Sequence, residues 1–383
     1  MLPNIATEAL MNPQRFISLR ANQIEASGIR KIFDLGATLQ DPVNLSIGQP
    51  DFDVPEPVKN AAIAALREGF NRYTPSGGIP ELKAAVLDRF EAAQGFRPED
   101  AIITSGVSGA LTLALLALVN VGDRVLVPDP YFVSYKHLTT LSGGVPVFYD
   151  TYPDFKVNAV ALADQMTSQT KVLLTMSPAN PTGACLDEDT KEALGFLARR
   201  HSIAVINDEI YDLFTYGKRG KSMAAYYPEG TLVVGGLSKT AAMTGWRVGW
   251  ALGPKPWIEA MLKLQQFTFV CAPSFAQKAA LVALDADLTA AVPSYQKKRD
   301  HVLAGLRKAG YEVNEPGGAF YLFVKVPPSY ASGTVFCEEA VNRELLLVPG
   351  GVFSQRDTHF RISYAASDAK LNRALEILAG MQR

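Results

Sequence analysis

Short β-branched runs alternate with amphipathic stretches from residue 101 onward. Seven of these runs read as strands: Ala101–Thr104, Arg124–Val127, Val145–Tyr149, Lys171–Met176, Ala204–Asp208, Thr231–Gly235 and Val248–Leu252. Helical spacing fills the gaps. In Asp187–Arg200, Asp187 is placed to cap, and Ala193, Leu194, Leu197 and Ala198 share one face. Such alternation predicts an α/β fold, with a mostly parallel seven-stranded sheet flanked by helices on both faces. Ligands of such sheets bind beyond the carboxyl ends of the strands.

The flanking regions have a different rhythm. Residues 1–14 read as a loose arm, and Ser27–Leu39 has helical spacing through Ile29, Ile32, Phe33 and Leu35. Asn44–Phe52 reads as a short strand entering a turn. Pro57–Glu68 and Pro80–Gln94 read as helices opening on proline, with a loop at Tyr73–Gly78 between them. After Pro256 the spacing predicts helices over Trp257–Gln266, Ser274–Ala286 and Leu288–Ala309. Strands Ala319–Val326, Leu345–Val348 and Phe360–Ser363 follow. A closing helix, Ser367–Met381, buries Leu371, Ala374, Leu375 and Leu378. This predicts a smaller α+β domain built from the N-terminal segment and the C-terminal third. The expected division is 1–45 for the arm and part of the small domain, 46–285 for the large domain and 286–383 for the small C-terminal domain.

Composition narrows the function. The 383 residues are 48% hydrophobic and 20% charged, with a net charge of −1. That balance suits a folded core and gives no broad basic surface for nucleic acid. Cys185, Cys271 and Cys337 are odd in number and far apart, which points to a reducing, cytoplasmic setting. The four histidines form no metal-ligand pair, so no metal is expected. The N-terminus lacks a signal-peptide pattern. The most apolar run, Ala110–Val119, is too short to span a membrane and reads as a buried helix.

Several strand ends carry chemistry. Thr231–Val234 runs into Gly235-Gly236-Leu237-Ser238-Lys239, and Arg247 follows eight residues after the lysine. A lysine can condense with an aldehyde, and an arginine can hold an anion with a planar fork of donors. A surface lysine after a strand has the same local pattern. Thr104–Ala110 joins a strand to a helix, where free N–H groups and Ser108 suit a phosphate, although glycine turns before helices are common. Asp129–Tyr135 follows another strand, and an aromatic ring there could stack on a planar cofactor or serve as a core aromatic. Asn180, in Ser177–Gly183, offers donor and acceptor within a composition that also suits a plain turn. Asp208 ends a buried strand and needs a partner. A protonated ring nitrogen, a salt bridge or a helix cap would each serve. Arg361 lies inside an apolar strand and calls for an anion, either a substrate carboxylate or an internal acid.

These landmarks occur together with Gly48-Gln49-Pro50-Asp51-Phe52, Tyr73-Thr74-Pro75, Asp208-Glu209-Ile210-Tyr211 and Gly245-Trp246-Arg247. In that combination the chain resembles the class I/II aminotransferases of the pyridoxal-phosphate fold-type I superfamily, along nearly its whole length. The resemblance implies pyridoxal 5′-phosphate as cofactor. It implies that Lys239 holds that cofactor as an internal aldimine and later shuttles the proton, and that Asp208 pairs with the pyridine nitrogen. Asn180 and Tyr211 would bond the phenolic oxygen, and Phe132 would stack on the ring. Gly106, Val107, Ser108, Ser238 and Arg247 would surround the phosphate. Tyr73 would reach the neighbouring subunit's phosphate, which implies a homodimer with shared sites. Arg361 would clamp the substrate α-carboxylate, with Gly48 and Asn180 beside it. Many relatives carry serine three residues before the lysine, where this chain has Gly236.

The implied reaction is a ping-pong exchange between an amino acid and a 2-oxo acid. Some dicarboxylate-specific relatives place an arginine in the region of Gln265–Ala272, which holds none here, and Ser108 replaces a lysine that others carry. A neutral or aromatic amino donor is therefore expected. The alternative is a C–S/β-lyase or synthase of the same fold. A regulator of this fold would carry an added DNA-binding domain, for which residues 1–14 leave no room, and a nicotinamide enzyme would want a GxGxxG that does not appear.

Overall fold

All seven expected strands form, and they join one sheet. The computed structural model describes residues 12–26, 28, 32 and 39–382. After β1 (Val43–Asn44) come β2 (Asp100–Ser105), β3 (Arg124–Asp129), β4 (Val145–Asp150), β5 (Thr170–Met176), β6 (Ala204–Asp208), β7 (Thr231–Gly236) and β8 (Val248–Gly253). The sheet order is β2-β8-β7-β6-β5-β3-β4. β8 runs antiparallel to both β2 and β7; the other pairings are parallel. Every residue of β6 and β7 is buried, which is why these strands read as continuous apolar runs rather than as alternations.

The two-residue period of the strands sorts their side chains onto two faces. Leu232 and Val234 of β7 pack with Leu111 and Leu115 of the helix Gly106–Leu118. Val233, between them, packs on the opposite face with Leu82, Val86 and Ala279. Those residues belong to the helices Pro80–Gln94 and Ser274–Asp285, which Glu56–Arg67 joins on the same side. Asp187 caps its helix as expected, its Oδ1 accepting from the N–H of Thr190 at 2.8 Å.

The C-terminal third adds β9 (Tyr321–Lys325), β10 (Leu345–Leu346), β11 (Val348–Pro349) and β12 (His359–Ser363). β11, β12 and β9 make an antiparallel sheet, and β10 pairs in parallel with β1. Val43–Asn44 thus joins the C-terminal third. Ser367 caps the closing helix, Asp368–Ala379, which buries Leu371, Ala374 and Leu378.

Two boundaries differ from expectation. The helix expected from Leu288 starts at Val292, because the Asp287 side chain accepts from the N–H and the hydroxyl of Thr289 and holds a turn there. The strand expected over Leu345–Val348 is two short ones, since the chain changes partner from β1 to β12 at Leu347. Most of the helix expected at Ser27–Leu39, and residues 1–11 of the expected loose arm, lie outside the described residues. Pro13–Phe16 forms one 3₁₀ turn without buried side chains.

Candidate active site

The carboxyl ends of β5, β6 and β7 and the start of the Gly106–Leu118 helix face the antiparallel sheet across a cavity of about 250 Å³. Lys239 and Ser238 enter it just beyond β7, Asp208 at the end of β6, and Tyr211 from the turn that follows. Phe132, Asn180 and Gly48 line it from loops. Val107 and Ser108 come from the helix start, Arg247 from the turn before β8, and Arg361 from the middle of β12. Gly106 is not in the lining; it lies against the Arg247 guanidinium. Tyr73 is not in the cavity: it is 84% exposed, on a loop pinned to the helix Lys255–Phe267 by the Gln265 amide, which donates to Ser76 O and to Ile103 O.

The glycines of this region are steric requirements. Gly106 has φ +67°, and a Cβ there would lie 2.5 Å from an Arg247 guanidinium nitrogen. A Cβ on Gly249 would lie 2.7–2.8 Å from the Gly106 carbonyl carbon and the Val107 nitrogen. β8 therefore passes close under the helix start and brings Arg247 to its free N–H groups. The departure at Gly236 has a local cause. A Cβ there would meet Val248 O at 3.0 Å and Gly249 Cα at 3.1 Å, so a serine would have to push β8 aside by a few tenths of an ångström.

Asp208 is 1% exposed. Its Oδ1 accepts from the Ile210 N–H at 3.1 Å and its Oδ2 from the Tyr135 hydroxyl at 3.0 Å. Burial pushes its carboxyl up to about 6, against those two bonds and nearby Lys239. Lys239 donates to Gly48 O at 2.5 Å. Burial, then the charges of Arg361 and Arg247, bring its amine down to about 8. Such an amine is nucleophilic near neutral pH.

Arg361 is also 1% exposed and has no carboxylate partner among the described residues. It donates to Asn180 Oδ1 at 3.0 Å and to Ser46 O at 2.6 Å, and its buried Nε has no partner. Its guanidinium lies 4.5 Å from the Tyr321 ring centre and 4.6 Å from that of Phe353. Arg247 bonds only to carbonyls, Thr244 O at 2.9 Å and Ser105 O at 3.4 Å. The cavity lining thus holds three cationic side chains, Lys239, Arg247 and Arg361, against one acid, Asp208. An excess of that kind calls for anions. The helix start with Arg247 suits a phosphate, Arg361 suits a carboxylate, and Asp208 suits a protonated nitrogen.

Sequence reasoning missed several residues in and around the lining. Tyr135 lies outside the lining and supports it from behind, through its hydroxyl on Asp208; it follows Phe132 by three residues across the start of the helix Ser134–Leu141. Tyr321, whose hydroxyl is 2.7 Å from that of Tyr211, gave no signal, because a tyrosine opening an apolar strand reads as core. Met176, Ile210 and Thr244 also line the cavity. Among the described residues, no cluster of His, Cys, Asp and Glu could hold a metal, and no helix is long and apolar enough to cross a membrane.

The chain is similar to known proteins over nearly its whole length. The family model described as aminotransferase class I and II matches residues 40–378. The aspartate/prephenate aminotransferase of Thermus thermophilus is 38% identical, over 88% of this chain and 90% of its own length. Aromatic-amino-acid aminotransferase 2 of Thermococcus litoralis is 34% identical, over 94% of this chain and 96% of its own. Among solved structures, aspartate aminotransferase from Thermus thermophilus with maleate superposes with a TM-score of 0.92 at 36% identity, covering 95% of this chain and 99% of that one. These relatives do not favour the lyase alternative. On the match over residues 40–378 and the shared fold, the chain belongs to the class I and II aminotransferases and is a transferase.

Proposed function

We propose that the cavity holds pyridoxal 5′-phosphate, the cofactor of this family, and that the chain exchanges an amino group between an L-amino acid and a 2-oxo acid by a ping-pong mechanism. The observation that carries this reading is the charge set of the cavity. Lys239, Arg247 and Arg361 face one acid, a pattern that fits a phosphate and a carboxylate at opposite ends with an aldehyde between them. Bound pyridoxal phosphate supplies the electron sink that lets the Cα–H bond of an amino acid break.

The chain's own residues divide the remaining work. The N–H groups at Val107 and Ser108, with Ser238 and Arg247, bind the phosphate. Asp208 holds a proton on the ring nitrogen, because its buried carboxylate gains a cationic partner there. Asn180 and Tyr211 orient the ring through its phenolic oxygen, and Phe132 packs against its face. Lys239 Nζ would take the proton that leaves substrate Cα and deliver it to the aldehyde carbon of the cofactor within the same half-reaction. Arg361 fixes the α-carboxylate, its free Nε supplying one of the donors. We place the domain division near residue 285, because the helix Ser274–Asp285 packs with the large sheet and Val292–Lys308 with the closing helix.

For the amino donor, we favour a neutral or aromatic side chain. Supporting this, among the described residues the cavity lining offers no cation beyond Lys239, Arg247 and Arg361, and Ser108 is uncharged. The Thermococcus litoralis relative is named for aromatic amino acids. The relatives named for aspartate make a substrate panel decisive: turnover of aspartate far above that of phenylalanine, alanine and methionine would overturn this choice. The exposed Tyr73, with Phe267 at 89% exposure on the helix that pins its loop, supports a homodimer that donates Tyr73 to the neighbouring site. The unpaired state of all three cysteines supports a cytoplasmic setting.

The test of the cofactor reading is covalent. Borohydride reduction of protein supplied with pyridoxal phosphate, followed by peptide mass analysis, should tag the peptide carrying Lys239. A tag elsewhere, or none, would sink the reading.

A further inference from the structure

Tyr321 touches two residues of the cavity lining, Tyr211 and Arg361. It opens β9, diagonal to Arg361 on β12: Tyr321 pairs with Ser363, Arg361 pairs with Phe323, and all four share one face of the small sheet. Its ring stacks on the Arg361 guanidinium at 4.5 Å, with Phe353 at 4.6 Å as the second aromatic neighbour. Its hydroxyl lies 2.7 Å from the Tyr211 hydroxyl, and both rings are buried. The space for that hydroxyl depends on Gly48, where a Cβ would lie 2.5 Å from Tyr321 Oη.

Each hydroxyl has one proton and two acceptor positions. In the cofactor reading above, on which this inference rests, Tyr211 gives its proton to the phenolic oxygen of the ring. Tyr211 can then only accept from Tyr321. The order of donation becomes Tyr321 to Tyr211 to ring oxygen. A chain of hydrogen bonds polarises its members, so the last donor is stronger than a lone hydroxyl. Meanwhile the Tyr321 ring lies over the guanidinium of Arg361, whose Nε has no hydrogen-bond partner.

We propose that Tyr321 is a positioning residue. Its hydroxyl orients and strengthens the Tyr211 hydroxyl toward the cofactor oxygen, and its ring holds Arg361 for the substrate carboxylate. The two duties separate by substitution. Tyr321→Phe keeps the ring and removes the hydroxyl; Tyr321→Leu removes both.

The experiment is a spectrophotometric pH titration of the bound cofactor's absorbance band in the protein loaded with pyridoxal phosphate. With a weaker donor on the phenolic oxygen, the proton shared between that oxygen and the lysine nitrogen is held more tightly. The titration of Tyr321→Phe should therefore move to higher pH, by about 0.2–0.5 of a pH unit. Tyr211→Phe should move it further in the same direction, by about one pH unit or more. Tyr321→Phe added to Tyr211→Phe should move it no further, because the end of the chain is already gone. KM for the amino acid should stay within about twofold in Tyr321→Phe and rise about tenfold in Tyr321→Leu, from loss of the ring contact. An unchanged titration in Tyr321→Phe would overturn the proposal, as would additive shifts in the double variant. If the unsubstituted protein develops no band with pyridoxal phosphate, the cofactor reading fails and this inference falls with it. A normal band that ignores Tyr321 would sink this inference alone.

Discussion

Asp208 ends a strand of the large sheet, and Arg361 sits mid-strand in the small one. Each is 1% exposed, each has two hydrogen-bond partners, and neither pairs with an opposite charge closely enough to be neutralised. The two await partners differently. Asp208 can give up its charge, and burial has already brought its carboxyl up to about 6. Burial lowers the guanidinium of Arg361 as well, but an arginine stays charged across the working pH range. It is accommodated by two carbonyl-type acceptors and two aromatic faces. An acid that can turn neutral suits a site whose cation arrives with a cofactor. A permanent cation suits an anion that comes and goes with each substrate.

Substitution should separate the two. Asp208→Asn keeps the shape and removes the charge. Turnover of the loaded enzyme should fall by about 10³-fold, as truncating a buried charge pair costs several kcal/mol. A variant retaining most of its turnover would show that Asp208 serves only the fold. Arg361→Leu should cut kcat/KM for amino acids by about 10²–10³-fold while leaving the cofactor band in place. Loss of the band would mean that Arg361 belongs to the cofactor rather than to the substrate. Stability should move as well, in the ligand-free protein. Asp208 is raised from its ordinary 3.8, so the native state binds its proton more readily than the unfolded chain does. Its ionisation is thus a cost that grows from about pH 4 and is complete above about pH 6. Asp208→Asn should be more stable than the unsubstituted chain by about 1–3 kcal/mol at pH 7 and equal to it near pH 4, measured by urea denaturation. A less stable variant at pH 7 would show that the carboxylate's bonds to Ile210 and Tyr135 outweigh its desolvation.

The contrast also explains what could be read in advance. Asp208 and Lys239 follow strands of the large sheet, but each pattern alone had a plain alternative, a salt bridge or cap for the acid and a surface position for the lysine; only their company with the landmarks from Gly48 to Arg361 set them apart. Arg361 was legible because arginine inside an apolar strand contradicts its surroundings. Tyr321 was not, since its ring satisfies the core and only its tip is polar. β10 and β11 were blurred for a different reason: each has two residues, and the switch of partner at Leu347 leaves no trace in the alternation. The tight approach of β8 to Gly236 depends on Val248 and Gly249 across the sheet, so the residue string showed a departure without its cause. Tyr73 stands in the open, and its proposed target lies on another chain.

Lys239 lies between the two charges and reports on both. Its amine is brought down to about 8 by burial first and by Arg361 next, while Asp208 pulls it the other way. Only the neutral amine attacks an aldehyde, so cofactor loading followed by absorbance should speed up with pH and level off around pH 8, well below an ordinary lysine's 10.5. Removing a nearby positive charge favours the protonated amine, so Arg361→Leu should move that midpoint up. Removing a negative charge favours the neutral amine, so Asp208→Asn should move it down. Each displacement should be about half a pH unit to one unit, since interactions with nearby charges in a partly solvated cavity are screened. Opposite displacements would establish that the lysine feels both ends of the cavity. If both variants moved the midpoint the same way, the cause would be a change in burial, and the contrast between the two charges would no longer describe how this lysine is prepared.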